Sequence, residues 1–305
     1  MPARFLRATL IAAAIAISAG FVAARPAMAA DVSYDQLATD RGPAIVGLKF
    51  LLKVNAPAEM GGPREIQREV TGLMIEKNGL VLCANSAVGG NQADLPPGVT
   101  VTPAEMKVLI GEDSEGAAAK VIARDSELDL AWIRIDKPSD KGYTSVDLKQ
   151  NPASKLGDRL LFIDRMGNYY DRAIFVGEVK VSAMLKKPRN LIQPGGLIFS
   201  LCTPVFSADG QFAGVTVRQG LGRDEMGGAV SQADQLYSQL LKVLPTDELA
   251  KATTRAIENA AKEPVEEKKE EAKPADAKPA ATEPAKEAPK DAPAPAPAPA
   301  PAPKP

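Results

Sequence analysis

The 305-residue chain contains no histidine, so the side chain that most often moves protons near neutral pH is missing from any site it builds. The remaining groups that could act on a substrate are few. Asp129 ends the run Asp125-Ser126-Glu127-Leu128-Asp129, Ser200 and Cys202 flank Leu201, and Ser86 and Cys83 lie close together earlier in the chain. A serine nucleophile needs a neighbouring base, and the nearest lysines before Ser200 are Lys186 and Lys187. A lysine serves that role only when burial lowers its pKa, whereas Lys-Lys-Pro reads as an exposed turn. With no histidine and two cysteines, neither a zinc or other transition-metal site of the usual ligand types nor a cofactor is expected.

The elements that must position these groups are short strands. Thr71 to Gly90 reads as two strands joined at Asn78-Gly79, a pair that supplies the positive φ angles of a tight hairpin. Ala44 to Leu52 precedes it as a strongly apolar strand, after a lead-in from Asp31 that includes a short helix ending near Gly42-Pro43. Glycine- and proline-rich sequence from Gly89 to Pro103 reads as loop. Strands are predicted over 107–111, 118–124, 130–135, 160–163, 173–185, 197–206, 212–217 and 228–230, with Asp209-Gly210 as a second hairpin turn. Such a series argues for an all-β barrel or sandwich. Ser231 to Val243 reads as a helix that closes the domain, with Leu236, Leu240 and Val243 on its packing face. Residues 246–263 carry only Leu249 and Ile257 as large apolar side chains and read as a solvent-exposed or only loosely formed helix.

Both ends differ from this middle. Arg4 and Arg7, an apolar run from Ala8 to Ala24, and Ala27-Met28-Ala29 make residues 1–30 read as a secretory signal peptide. An uncleaved membrane anchor is the alternative for a run of that length. Cleavage places the mature protein outside the cytoplasm, periplasmic or secreted, where disulfides persist. From Pro264 the composition shifts to Glu, Lys, Ala and Pro, and twelve of the 26 prolines lie in residues 264–305. That segment reads as a disordered tail whose Ala-Pro end favours extended polyproline II. It either solubilises the protein or reaches to a cell envelope. A formal net charge of −1 gives no electrostatic reason to bind nucleic acid.

Three segments, in order, resemble the trypsin-like serine proteases of the HtrA (Deg) type. Thr71-Gly72-Leu73-Met74-Ile75, Asn78-Gly79 and Cys83-Ala84-Asn85-Ser86-Ala87-Val88 are similar to the family's Gly-Ser-Gly-Phe strand, turn and Thr-Asn-x-His-Val-Val strand end. Asp125-Ser126-Glu127-Leu128-Asp129-Leu130-Ala131 resembles its Asp-x-x-x-Asp-Leu-Ala segment. Phe199-Ser200-Leu201-Cys202-Thr203-Pro204-Val205 resembles Gly-Asn-Ser-Gly-Gly-Pro-Leu, and Gly227-Gly228-Ala229-Val230 resembles the strand before the final helix. The resemblance places the triad histidine on Ser86, the aspartate on Asp129 and the nucleophile on Leu201. It implies two six-stranded β-barrels over residues 31–245 with the site between them, and a C-terminal helix.

On this alignment the base and the nucleophile are both absent, and neither Ser86 nor Leu201 replaces them. Phe199, Leu201, Cys202 and Thr203 carry side chains where the family has glycines beside its oxyanion hole. Gly195 and Gly196 offer a substitute turn upstream. Cys83 and Cys202 fall at places that approach each other in this fold, either as a disulfide across the former site or as two buried thiols. Trp132 reads as core, and Arg218, Arg223, Asp224 and Glu225 as a charged loop on the rim of a peptide groove. The resemblance therefore implies a catalytically inactive protease fold that binds an extended peptide or protein segment. A serine-type endopeptidase with an unconventional site, and a structural envelope protein acting through its tail, are the alternatives.

Overall fold

The computed structural model describes residues 31–90, 95–219 and 231–262. Helix α1 (Tyr34–Arg41) begins where the Ser33 hydroxyl accepts the Gln36 N–H, and ends at Gly42-Pro43 as its sequence predicts. Six strands follow: β1 (Ile45–Asn55), β2 (Arg64–Glu76), β3 (Leu80–Ala84), β4 (Thr100–Leu109), β5 (Ala117–Asp125) and β6 (Leu130–Ile135). They close into an antiparallel barrel in the order β1-β2-β3-β6-β5-β4. Strands β7 (Arg159–Arg165), β8 (Ile174–Leu185), β9 (Leu191–Gly195), β10 (Pro204–Ser207), β11 (Phe212–Arg218) and β12 (Leu241–Pro245) form a second, in the order β10-β11-β12-β9-β8-β7. Two closed six-stranded barrels are the architecture of a trypsin-like double barrel. Closure pairs every strand on both sides and leaves no sheet edge.

The two hairpin turns form as their chemistry requires. Gly79 at φ +87° donates to the Glu76 carbonyl, and Gly210 at φ +79° donates to that of Ser207.

Four elements depart from the sequence reading. Strand β4 begins at Thr100, inside the predicted loop. Pro103 pairs with Leu52 there, next to an irregularity where Glu105 takes φ +52°, a setting that tolerates a strand proline. The predicted strand 197–206 is strand only from Pro204. Leu191–Gly195, masked in the sequence by Pro194 and Gly195, supplies the strand before it. Helix α2 (Gln232–Gln239) stops short of Val243, because Leu241 to Pro245 becomes β12 and completes the second barrel between β11 and β9. A short apolar run is equally compatible with helix and strand, and barrel closure decides between them. The predicted strand 228–230 lies outside the described residues.

The fourth correction concerns helix α3 (Thr246–Lys262), which is not solvent-exposed. Thr246, Leu249, Ala252, Thr253 and Ala256 are buried at helical spacing, against β5, β11 and β12. Small side chains form most of this face, so a search for large apolar residues misses it. The indole N–H of fully buried Trp132, on β6, donates to the Thr253 hydroxyl at 3.1 Å. One helix thus holds elements of both barrels. A second tie comes from Arg165, whose guanidinium donates to the carbonyls of Ile45, Gly42 and Arg172, while Arg172 grips Glu69 with two hydrogen bonds.

Leu249→Ala is expected to destabilise the fold by about 2–5 kcal/mol through an unfilled cavity. Thr253→Val, which strands the buried indole N–H, is expected to cost about 1–3 kcal/mol. Urea unfolding followed by Trp132 fluorescence measures both.

Candidate functional site

The site is built where β3 and β6 end together. Their register runs from Leu80 opposite Arg134 to Ala84 opposite Leu130, and one further backbone bond, Asn85 N–H to the Asp129 carbonyl at 2.9 Å, extends it into the loops. Asp129 sits at φ +53°, a left-handed conformation uncommon for a side-chain-bearing residue. The turn ahead of it is fixed by the Asp125 carboxylate, which accepts the N–H groups of Glu127 and Leu128, and by the buried Leu128 side chain. So placed, the Asp129 carboxylate takes both donors of Ser86. The backbone N–H binds one oxygen at 2.7 Å and the hydroxyl binds the other at 2.7 Å. The two positions aligned with a histidine and an aspartate therefore meet, as a serine–carboxylate pair on an exposed loop.

Beneath this pair lies a polar support that the sequence does not signal. Arg124, at the end of β5, donates to the Asn85 side-chain oxygen and to the Val88 carbonyl, which fixes the Ser86 loop from below. Burial lowers the Arg124 pKa. Burial pushes the neighbouring Cys83 thiol up to about 12, with Arg124 opposing the shift and Asp129 adding to it.

The third segment approaches from the second barrel. Leu201 is half-buried and packs against the core, offering no nucleophilic atom. Cys202 takes φ +59° and is buried, and its thiol pKa is raised well above normal, first by burial and then by Cys83 and Asp129. Thr216, fully buried on β11, clasps the segment. Its hydroxyl accepts the Thr203 N–H and donates to the Ser200 carbonyl, and its own carbonyl accepts the Cys202 N–H at 2.8 Å. The Thr203 hydroxyl donates to the same Ser200 carbonyl. Two backbone donors of the loop, Cys202 and Thr203, are thus engaged within the protein instead of facing the cleft. A lone threonine in the apolar run Phe212-Ala213-Gly214-Val215-Thr216-Val217 was the available signal for this clasp.

The other nominated residues are dispersed. Lys186 and Lys187 are exposed at the β8–β9 turn, and no burial prepares either as a base for Ser200. Arg189 of the same turn pairs with Glu127, two residues from Asp129, linking the barrels on that side. Cys83 and Cys202 are both free thiols and both buried. Trp132 belongs to the core, and Gly195 and Gly196 end β9. Arg218 ends β11 exposed, whereas Arg223, Asp224 and Glu225 lie outside the described residues. Nothing in the sequence signalled that Leu197 and Phe199, the latter noted only as a side chain in the Ser200 loop, would stand 68% and 78% exposed just ahead of Ser200. Among the described residues no cluster of three or more His, Cys, Asp or Glu is placed to hold a metal ion, and no helix is long and apolar enough to cross a membrane.

Chemically, this arrangement can hold a carboxylate and present backbone and apolar surface. The group that meets the Asp129 carboxylate is a hydroxyl and not an imidazole. Scanned against known protein families, the chain matches none, and a search of curated proteins finds no match.

Thr216→Val keeps the shape of the side chain while leaving the buried Thr203 N–H without its acceptor. It is expected to cost about 1–3 kcal/mol of stability, measured by thermal or urea unfolding.

Proposed function

We propose that this chain is an exported, non-catalytic relative of the HtrA-type proteases that binds an extended peptide or protein segment. The observation that carries the reading is the double hydrogen bond from Ser86 to Asp129. It satisfies the acid of a triad with a group that cannot serve as its base, and the position of the nucleophile holds Leu201, turned into the core. Nothing in this constellation advances an acyl transfer. A pair of barrels with a loop-lined site between them remains a framework for recognition.

Support for binding comes from the exposed Leu197 and Phe199, apolar side chains of the kind that anchor partner segments. An extended segment laid beside the Ser200 loop would gain main-chain hydrogen bonds for affinity and apolar contacts for selectivity. Export rests on the signal-like residues 1–30, and a mature chain beginning near Ala30 or Asp31 in the exported fraction is the corresponding expectation.

A fluorophosphonate probe tests the reading without a guess at substrate. Residues 31–305, incubated with the probe and mapped by mass spectrometry, are expected to carry no label. Label at Ser86 or Ser200 overturns the proposal and makes the chain a hydrolase with a rebuilt site. In a peptide-array assay, Phe199→Ser is expected to weaken capture about tenfold, in keeping with about 1–2 kcal/mol for one exposed aromatic anchor.

A further inference from the structure

We propose that the α-ammonium created by removal of residues 1–29 or 1–30 seats in an acidic pocket of the second barrel and latches the N-terminal arm there. The inference rests on the export reading for the place of the cut. The pocket, about 310 Å³, lies where the loop before β7 meets the β10–β11 hairpin, and Asp31, Ser154, Asp158, Arg159, Ser207 and Asp209 line it. Two contacts pin the arm at this place. The Asp31 carboxylate pairs with Arg159 at 3.1 Å, and the next N–H, that of Val32, donates to the Ala208 carbonyl at 2.9 Å. The Asp31 nitrogen therefore stands one residue before an N–H bonded to Ala208, the residue that precedes Asp209.

Behind that point the arm is held along its length. The Tyr34 hydroxyl donates to Glu178 at 2.7 Å, Leu37 is buried, and Arg41 donates to the Gly210 carbonyl at 3.4 Å. Four residues after Arg41 the chain begins β1 of the first barrel. An arm anchored on the second barrel thus leads directly into the first, and its free end is the part that a cleavage at residue 29 or 30 changes.

Carboxylates outnumber cations in the pocket. Asp31, Asp158 and Asp209 meet one lining cation, Arg159, and its guanidinium is shared with Glu178 at 2.9 Å and lies over the Tyr34 ring. Around these groups stand Lys155, whose N–H binds the Asp158 carboxylate at 2.7 Å, and Lys180, which acts on Glu178 from β8. The Ser207 hydroxyl and then the Gln211 side chain hold the Asp209 carboxyl below its ordinary pKa, against the opposing effect of burial. An ammonium supplies the missing positive charge, and its N–H donors match carboxylate and hydroxyl oxygens. Before cleavage the same nitrogen is an uncharged amide, so processing completes the latch. An amine that gains carboxylate neighbours on folding has its pKa raised. Its contribution is full below the unfolded value of about 7.7–8.0 and is lost as pH rises through the folded value.

The test uses the chain purified from the exported fraction, whose intact mass gives its first residue. Reductive dimethylation with 13C-formaldehyde keeps the amine charge, and NMR follows the α-dimethylamino signal against pH in the folded chain and in the same chain in urea. Expected is a folded pKa about 0.5 or more above the unfolded one, the size of an exposed ion-pair interaction. Asp158→Asn combined with Asp209→Asn, which keeps an Asn-Gly turn at the hairpin, is expected to remove that rise. Equal values in the two states, or a rise that survives the double substitution, overturn the proposal. A first residue other than Ala30 or Asp31 overturns the export reading and this inference with it, whereas either residue with an unshifted amine overturns this inference alone.

Discussion

The pairing of β3 with β6 is the constraint on which the rest of the site depends. Every residue of β3, and all of β6 but Arg134, is buried, so a slip of one residue in this register would set side chains of the wrong size into packed surroundings on both faces of the ladder. The same register delivers Asn85 to the Asp129 carbonyl and brings Ser86 onto the Asp129 carboxylate. Core packing and site geometry are thus two results of a single ladder.

Around that ladder, polar groups fix the position of the loops. Arg124 supports the Ser86 loop from beneath, Thr216 clasps the Ser200 loop, and Arg165 secures the start of β1 to the end of β7. Thr216 is buried and Arg165 half-buried, and each of the three satisfies backbone carbonyls of the loop or strand end it holds. Loops held this way keep their shape. That persistence is consistent with a framework used for recognition, in which a partner meets a surface already ordered and pays little further conformational entropy on binding.

Helix α3 shows how tertiary context reassigns a segment. Its buried face is made of alanine, threonine and one leucine, and small side chains allow the helix axis to approach the barrels closely. Helix α2 shows the reverse: Leu236, apolar and on the face expected to pack, is 62% exposed. The polymer between these outcomes is only a few residues long. What separates them is that Leu241 to Pro245 is needed as the sixth strand of a barrel, which ends α2 early and sets the direction from which α3 returns.

The all-β class and both hairpin turns were legible in the sequence, because alternation and turn chemistry are local signals; the meeting of Ser86 with Asp129 was expected only from the resemblance of their segments to a known family. The missing histidine was equally plain. Only the tertiary structure decided that Leu191–Gly195 and Leu241–Pro245 are strands, that α3 is buried, and that Arg124 and Thr216 hold the two site loops. Those outcomes turn on closing two barrels and on satisfying buried backbone groups far apart in the chain, and no window of neighbouring residues contains that information.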